Sequence, residues 1–164
     1  VIFLTVGNWH KGFDRLVKAV DSLKAQDIIT DEVIAQIGEG SYRPSNLNMT
    51  RFFSPAEFKH HLAQSRLTVS HAGIGTIVQA VELAKPLIVL PRRADLGECS
   101  NNHQFTTARQ LEKQGRILAA YQTSQLPDKL RQAESFIPVQ QHNGREILEM
   151  VEAFLKMLTT QRTR

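Results

Sequence analysis

The chain has 164 residues, 41% of them hydrophobic and 22% charged, with a formal net charge of +4. That length holds one domain with a real core, and the composition is that of an ordinary soluble globular protein. No run of about 18 apolar residues exists, which argues against a membrane-spanning helix, and the single cysteine, Cys99, excludes an internal disulfide and favours a reducing compartment.

In chain order, Val1 to Val6 is short, apolar and β-rich, and reads as a buried strand. Gly7 to Gly12 is a turn. Phe13, Leu16, Val17 and Val20 then recur at helical spacing, predicting a helix from Phe13 to Ala25. Val33 to Ile37 is a second strand, and Met49 to Phe53 a third. Ser54-Pro55-Ala56-Glu57 is a helix start, with Ser as cap, Pro at the first position and Glu at the third; that helix runs to about Gln64. Leu67 to Val69 is a strand and Thr76 to Ala84 a helix, closed by Lys85-Pro86. Pro86 to Pro91 is another buried strand, followed by a charged loop, Arg92 to Ser100. Asn101 to Gln114 is helical and stopped by Gly115. Arg116 to Ala120 is a short strand, and Pro127 to Ser135 a helix. Ile137 to Asn143 is irregular. Ile147, Leu148, Met150, Val151, Phe154, Leu155 and Leu158 form an apolar helix stripe before a polar tail. The stripe either packs on its own sheet or docks a partner.

Strand and helix alternate about six times, which implies an α/β fold with a parallel sheet and helices on both faces. No internal repeat or linker divides residues 1–164, so a single domain is expected. Ligands of such sheets sit beyond the carboxyl ends of the strands, where the strand order switches. The loops Gly7–Gly12, Ser70–Gly75 and Arg92–Asn102 all follow strands and are expected to meet there.

Ser70-His71-Ala72-Gly73-Ile74-Gly75-Thr76 joins a strand to a helix start. Glycines let the backbone approach an oxyanion, and the helix N-terminus offers free N–H groups and a positive dipole end. His71 and Thr76 add side-chain donors, so a phosphate or diphosphate is the expected guest. The third glycine of a dinucleotide fingerprint is missing, which opposes NAD. Gln79 lies one helical turn after Thr76 and either meets a ribose hydroxyl or is solvated. Asn101 or Asn102 either caps the next helix or leaves His103 and Gln104 facing a sugar. Arg92 either meets phosphate, pairs with Glu98, or is plain surface charge. Trp9 and His10 either line a ligand or pack locally. The six histidines are scattered, and no metal-ligand set appears.

His71 to Gln79, Lys85-Pro86, Pro91-Arg92, Gly97-Glu98 and Asn102-His103-Gln104 together resemble the C-terminal domain of glycosyltransferase family 28. Thr5-Val6-Gly7, Phe13 to Val17 and His142-Asn143-Gly144 fit the same pattern. Within the family the chain resembles small bacterial exopolysaccharide glycosyltransferase subunits, themselves similar to the soluble subunit of the two-subunit UDP-N-acetylglucosamine transferase. The resemblance implies a Rossmann-like sheet that is the donor-binding half of a GT-B fold. Gly7 and Asn8 would wall the cleft. His71, Gly73, Gly75 and Thr76 would hold the UDP diphosphate, with Arg92 and Glu98 in the loop beside it. Gln79 stands where the family usually carries Glu or Asp for the ribose, and His103 and Gln104 would face the sugar, after an Asn102 that replaces a frequent Asp.

The implied activity is hexosyl transfer, with inversion, from a UDP-sugar to a lipid-linked acceptor in polysaccharide biosynthesis. No cofactor or metal is expected. The catalytic base and acceptor site would come from a membrane-anchored partner subunit, placing this chain in the cytoplasm, peripheral to the inner membrane face. Two alternatives stand beside it: a non-catalytic activating subunit, or a sugar-nucleotide-binding domain of epimerase type.

Overall fold

A computed structural model describes residues 1–139, 151–152 and 155–156. Six strands, β1 (Ile2–Thr5), β2 (Val33–Gln36), β3 (Asn48–Thr50), β4 (Leu67–Ser70), β5 (Leu87–Val89) and β6 (Leu118–Ala119), form one sheet in the order β3-β2-β1-β4-β5-β6. Every pairing is parallel. The helices are α1 (Asp14–Ala25), α2 (Pro55–Gln64), α3 (Ile74–Glu82), α4 (His103–Lys113) and α5 (Leu126–Ala133), with a 3-10 turn at Thr123–Gln125. The expected Rossmann-like α/β architecture is therefore the one observed.

Alternation of side chains along each strand divides the core in two. Ile2, Leu4 and Val6 face α1 and α5, meeting Leu16, Val20 and Leu126. Phe3 faces the other side, with Leu62 of α2, Ile77 and Ala80 of α3, and Leu111 of α4. Its ring lies edge-on to Phe58, with centroids 5.3 Å apart. Because both faces are covered, β1 and β4 are buried along their whole length. Register places Thr5 opposite Gln36 on one side and Ser70 on the other. These three buried polar residues form a row at the carboxyl edge of the sheet, where the Ser70 hydroxyl donates to Thr5 O at 2.8 Å.

Several boundaries differ from the sequence reading. β3 ends at Thr50, because Phe53 N–H leaves the ladder and donates to the side-chain Oε1 of Gln36 at 3.0 Å. α3 begins at Ile74 rather than Thr76, since Gly73 serves as N-cap in an extended conformation and Ile77 N–H closes the first turn on Gly73 O at 3.2 Å. α4 begins at His103, with the Asn101 side chain accepting from His103 N–H at 3.2 Å. β6 is confined to Leu118–Ala119. The Ser54 start of α2 is a reciprocal capping box with Glu57, as its sequence predicts. Most of the Ile147–Leu158 stripe and the His142-Asn143-Gly144 segment lie outside the described residues.

The loop after β2 is tied to α1 by a buried carboxylate. Asp21 accepts from the Tyr42 hydroxyl at 2.6 Å, from Asn46 N–H at 2.8 Å and from Ser45 N–H at 3.2 Å. Burial by itself raises the Asp21 pKa, but these hydrogen bonds outweigh it and hold the carboxyl below its ordinary value. The stability it contributes is complete above about pH 4 and is lost as the pH falls through the lowered folded value, because the unfolded chain takes up the proton first. Asp21→Asn is expected to lower the unfolding free energy at neutral pH by about 1–3 kcal/mol and to flatten its decline in acid, as read by urea titration across pH.

Candidate functional site

Strand order reverses between β1 and β4, so the loops leaving them diverge and open a crevice at the carboxyl edge. The β1 loop starts with Gly7 at φ +73°, and the β4 loop with His71. α3 starts directly behind. The N–H groups of Ile74, Gly75 and Thr76 precede its first helical hydrogen bond, and Gly73 has no side chain to cap them. α2, by contrast, is capped by its own Ser54 and Glu57. The uncapped end of α3 opens on a hollow of about 400 Å³. Gly7, Asn8, His71, Gly75, Thr76 and Gln79 line it, together with Gln36, Phe53, Pro55 and Phe58.

The glycines have different roles. A Cβ on Gly7 would lie 2.4 Å from His71 Nε2, and one on Gly73 would lie 2.0 Å from His71 Cε1. These two glycines clasp the imidazole and leave no room for a methyl group. A Cβ on Gly75 would meet nothing within 4 Å. Burial, reinforced by the nearby Arg92 guanidinium, holds the His71 pKa down at about 3. The ring is therefore neutral at physiological pH. Since the folded value lies below the roughly 6.5 of the unfolded chain, the unfolded chain takes up the proton first and stability is expected to fall as the pH drops below about 6.5.

His71 also forms part of the wall of a second hollow, of about 390 Å³, lined by Trp9, Arg92, Cys99, Asn101, His103 and Gln104 among others. Trp9 is 44% exposed at its mouth, with its ring centroid 4.5 Å from that of His10. Gln104 joins the two sides of the site: its Oε1 accepts from Ala72 N–H and Arg92 N–H, each at 3.1 Å, and its Nε2 lies 3.2 Å from His71 Nδ1. Asn102 does not cap α4; its side chain accepts from Ala94 N–H at 3.2 Å.

The charged loop corrects the sequence reading. Arg92 is no surface charge: it is 1% exposed. Its guanidinium donates to the carbonyls of Val6 at 2.8 Å, Gly12 at 3.0 Å, and Lys11 and Glu98 at 3.1 Å. It lies 4.6 Å from the centroid of the Phe13 ring. Burial lowers its pKa to about 10, so it stays charged. Nor does it pair with the Glu98 carboxylate, which is held by Arg15 through two hydrogen bonds of 2.8 Å and by Arg93 N–H at 2.8 Å. Glu98 lines neither hollow described above; it faces a third, beside Asp14 and Gly40. Arg15 was missed because its role is set by a residue 83 positions away.

Gln36 was missed too. It is 1% exposed, and its amide donates to Asn8 Oδ1 at 3.1 Å, which orients Asn8 in the first hollow. Nothing in a strand glutamine signals this from sequence. Gln79 turns back to donate to Gly75 O of its own helix at 3.2 Å. Among the described residues no group of three or more His, Cys, Asp or Glu is placed to hold a metal ion. Among them, too, no helix is long and apolar enough to cross a membrane.

Residues 1–153 match the family model described as "Glycosyltransferase family 28 C-terminal domain". The "UDP-N-acetylglucosamine transferase subunit ALG13" of Mus musculus is 31% identical over 124 residues, 70% of this chain and 10% of that protein. The chain thus aligns to about a tenth of the length of this curated relative. Among solved structures, the NMR solution structure of ALG13 superposes with a TM-score of 0.64 at 21% identity, covering 92% of this chain and 94% of that one. The crystal structure of the glycotransferase of kitacinnamycin superposes with a TM-score of 0.60 at 16% identity, covering 97% and 39%. At these identities the two structures speak for the fold alone.

The glycine geometry sets up a contrast in stability. Gly7→Ala and Gly73→Ala are expected to destabilise by about 1–3 kcal/mol, since the methyl group must displace the His71 ring. Gly75→Ala, in open space within the first turn of α3, is expected to leave stability unchanged or raise it by up to about 1 kcal/mol. Chemical denaturation of the three variants measures both.

Proposed function

The chain belongs to the glycosyltransferase family 28 C-terminal domain family, and from that premise we propose that it binds a UDP-sugar as the donor-binding subunit of a glycosyltransferase. The observation that carries this reading is the uncapped N-terminus of α3, open beside a neutral His71 at the switch point of a parallel sheet. The hollow at α3 takes the nucleoside diphosphate. Phe53 and Phe58 in its lining offer apolar surface to a base, and Gln79, also in the lining, is assigned to the ribose. The adjoining hollow, with Trp9, His103 and Gln104, takes the sugar.

In the proposed reaction an acceptor hydroxyl attacks the anomeric carbon from the face opposite the diphosphate. The bond from that carbon to the β-phosphate oxygen breaks, the configuration inverts, and UDP leaves carrying the bond's electron pair. Negative charge grows on the diphosphate in the transition state. The three free N–H groups of α3, its dipole and the His71 ring meet that charge with groups already oriented, so no reorganisation is needed as the bond breaks. The reading assigns this stabilisation to protein groups rather than to a metal ion. Arg92 adds a fixed positive charge behind the site without leaving its carbonyl cage. The proton of the acceptor hydroxyl goes to a base on a partner subunit. We place that partner at the membrane, with a lipid-linked saccharide as acceptor in polysaccharide assembly and this chain on the cytoplasmic side. Support for a partner is the word "subunit" in the name of the ALG13 relative.

Calorimetric titration with UDP, UMP and NAD tests the donor site. UDP is expected to bind better than UMP, with no heat from NAD. His71→Ala is expected to weaken UDP by about 1.5–3 kcal/mol, the range for a hydrogen bond to a charged group. Equal affinity for UDP and UMP, or a folded His71→Ala protein with unchanged UDP affinity, would remove the diphosphate from this position.

A further inference from the structure

The Gln104 side chain sits where its amide has one possible orientation. The oxygen end receives two backbone N–H groups, from Ala72 and Arg92, each at 3.1 Å. Backbone N–H groups only donate, so the atom facing them must accept, and the amide nitrogen is the end that meets His71 Nδ1 at 3.2 Å. An amide nitrogen in turn only donates. Nδ1 therefore accepts, and a neutral imidazole that accepts at Nδ1 carries its proton on Nε2.

The rest of the ring's surroundings agree. Nε2 has no hydrogen-bond partner among the described residues. It lies on the Gly7 side of the ring, in the wall of the hollow at the start of α3. Gly7 and Gly73 pack against it closely enough to restrict tilting. An imidazolium would have to set an Nδ1 proton against the amide protons of Gln104, next to the Arg92 guanidinium, which is the charged group whose field reaches the ring.

We infer that Gln104 is a positioning residue that fixes His71 as its Nε2–H tautomer, so that the site presents a neutral N–H donor to an anionic oxygen in the hollow at α3. The inference rests on the diphosphate reading of that hollow and deepens it. Gln104 then serves the reaction through His71, beyond any contact its remaining amide proton makes with a sugar. The arrangement adds a donor without adding a charge at neutral pH.

The test is long-range ¹H–¹⁵N correlation on the full chain near neutral pH, without ligand. His71 Nδ1 is expected in the unprotonated class of shifts and Nε2 in the protonated class. The reverse pattern, or an imidazolium, overturns the inference. Gln104→Glu provides the second arm. A carboxylate still accepts from Ala72 and Arg92 but cannot donate to His71, so Nδ1 is expected to become protonated. An unchanged tautomer overturns the inference. UDP affinity of this variant is expected to fall by about tenfold or more. In a His71→Ala background the same substitution reports the added charge alone, and its effect is expected to be smaller by about fivefold. Equal effects in the two backgrounds would mean that Gln104 does not act through His71. Should the unaltered protein fail to bind UDP, the donor-site reading falls, while the tautomer is still decided by the spectra.

Discussion

The site is held together by one buried guanidinium. Arg92 reaches back from the end of the fifth strand to the carbonyls of Val6, Lys11 and Gly12, and closes on Glu98 O in its own loop. Removing an arginine from water is costly, and no carboxylate hydrogen-bonds this one among the described residues. Four carbonyl dipoles and the face of Phe13 offset that cost. The constraint is geometric as much as energetic. A planar fork with fixed donor directions locks the loop after β1 to the loop after β5, and the second hollow is the space left beside that joint. Gln104 repeats the design on a smaller scale, tying Ala72, Arg92 and His71 to one amide.

Close packing and electrostatics are coupled at His71. Two glycines give up side chains so that the ring can lie flush between the β1 and β4 loops. That burial, together with the Arg92 charge, keeps the imidazole neutral. The same region leaves the end of α3 uncapped, although the chain builds a full capping box for α2. A helix start without a cap gives up roughly 1 kcal/mol of stability. Here it leaves three oriented N–H groups and a positive dipole end facing a hollow, which is the arrangement an anionic ligand uses.

How far the sequence carried can be judged from particular residues. The alternation of apolar strands with helical stripes led to the parallel sheet, and the glycine turn after Val69 led to His71, Gly73, Gly75 and Thr76, all of which line or clasp the first hollow. These signals are local: a period, a turn, a helix start. Arg92, Glu98 and Gln104 were also picked out, but their partners were not. A charged residue in a loop reads as surface, whereas Arg92 is enclosed and Glu98 belongs to Arg15. Gln36 and Arg15 gave no sign at all, because each takes its role from residues distant in the chain.

What the sequence by itself determined is the fold class, the order of its elements and the strand–helix turn that opens on the first hollow. Those follow from interactions within a few residues, which periodicity and turn chemistry report directly. Only the tertiary structure decided which side chains line the hollows and which bind one another. A guanidinium or an amide commits its donors to whatever carbonyls the folded chain brings within about 3 Å, and no local pattern encodes that distance.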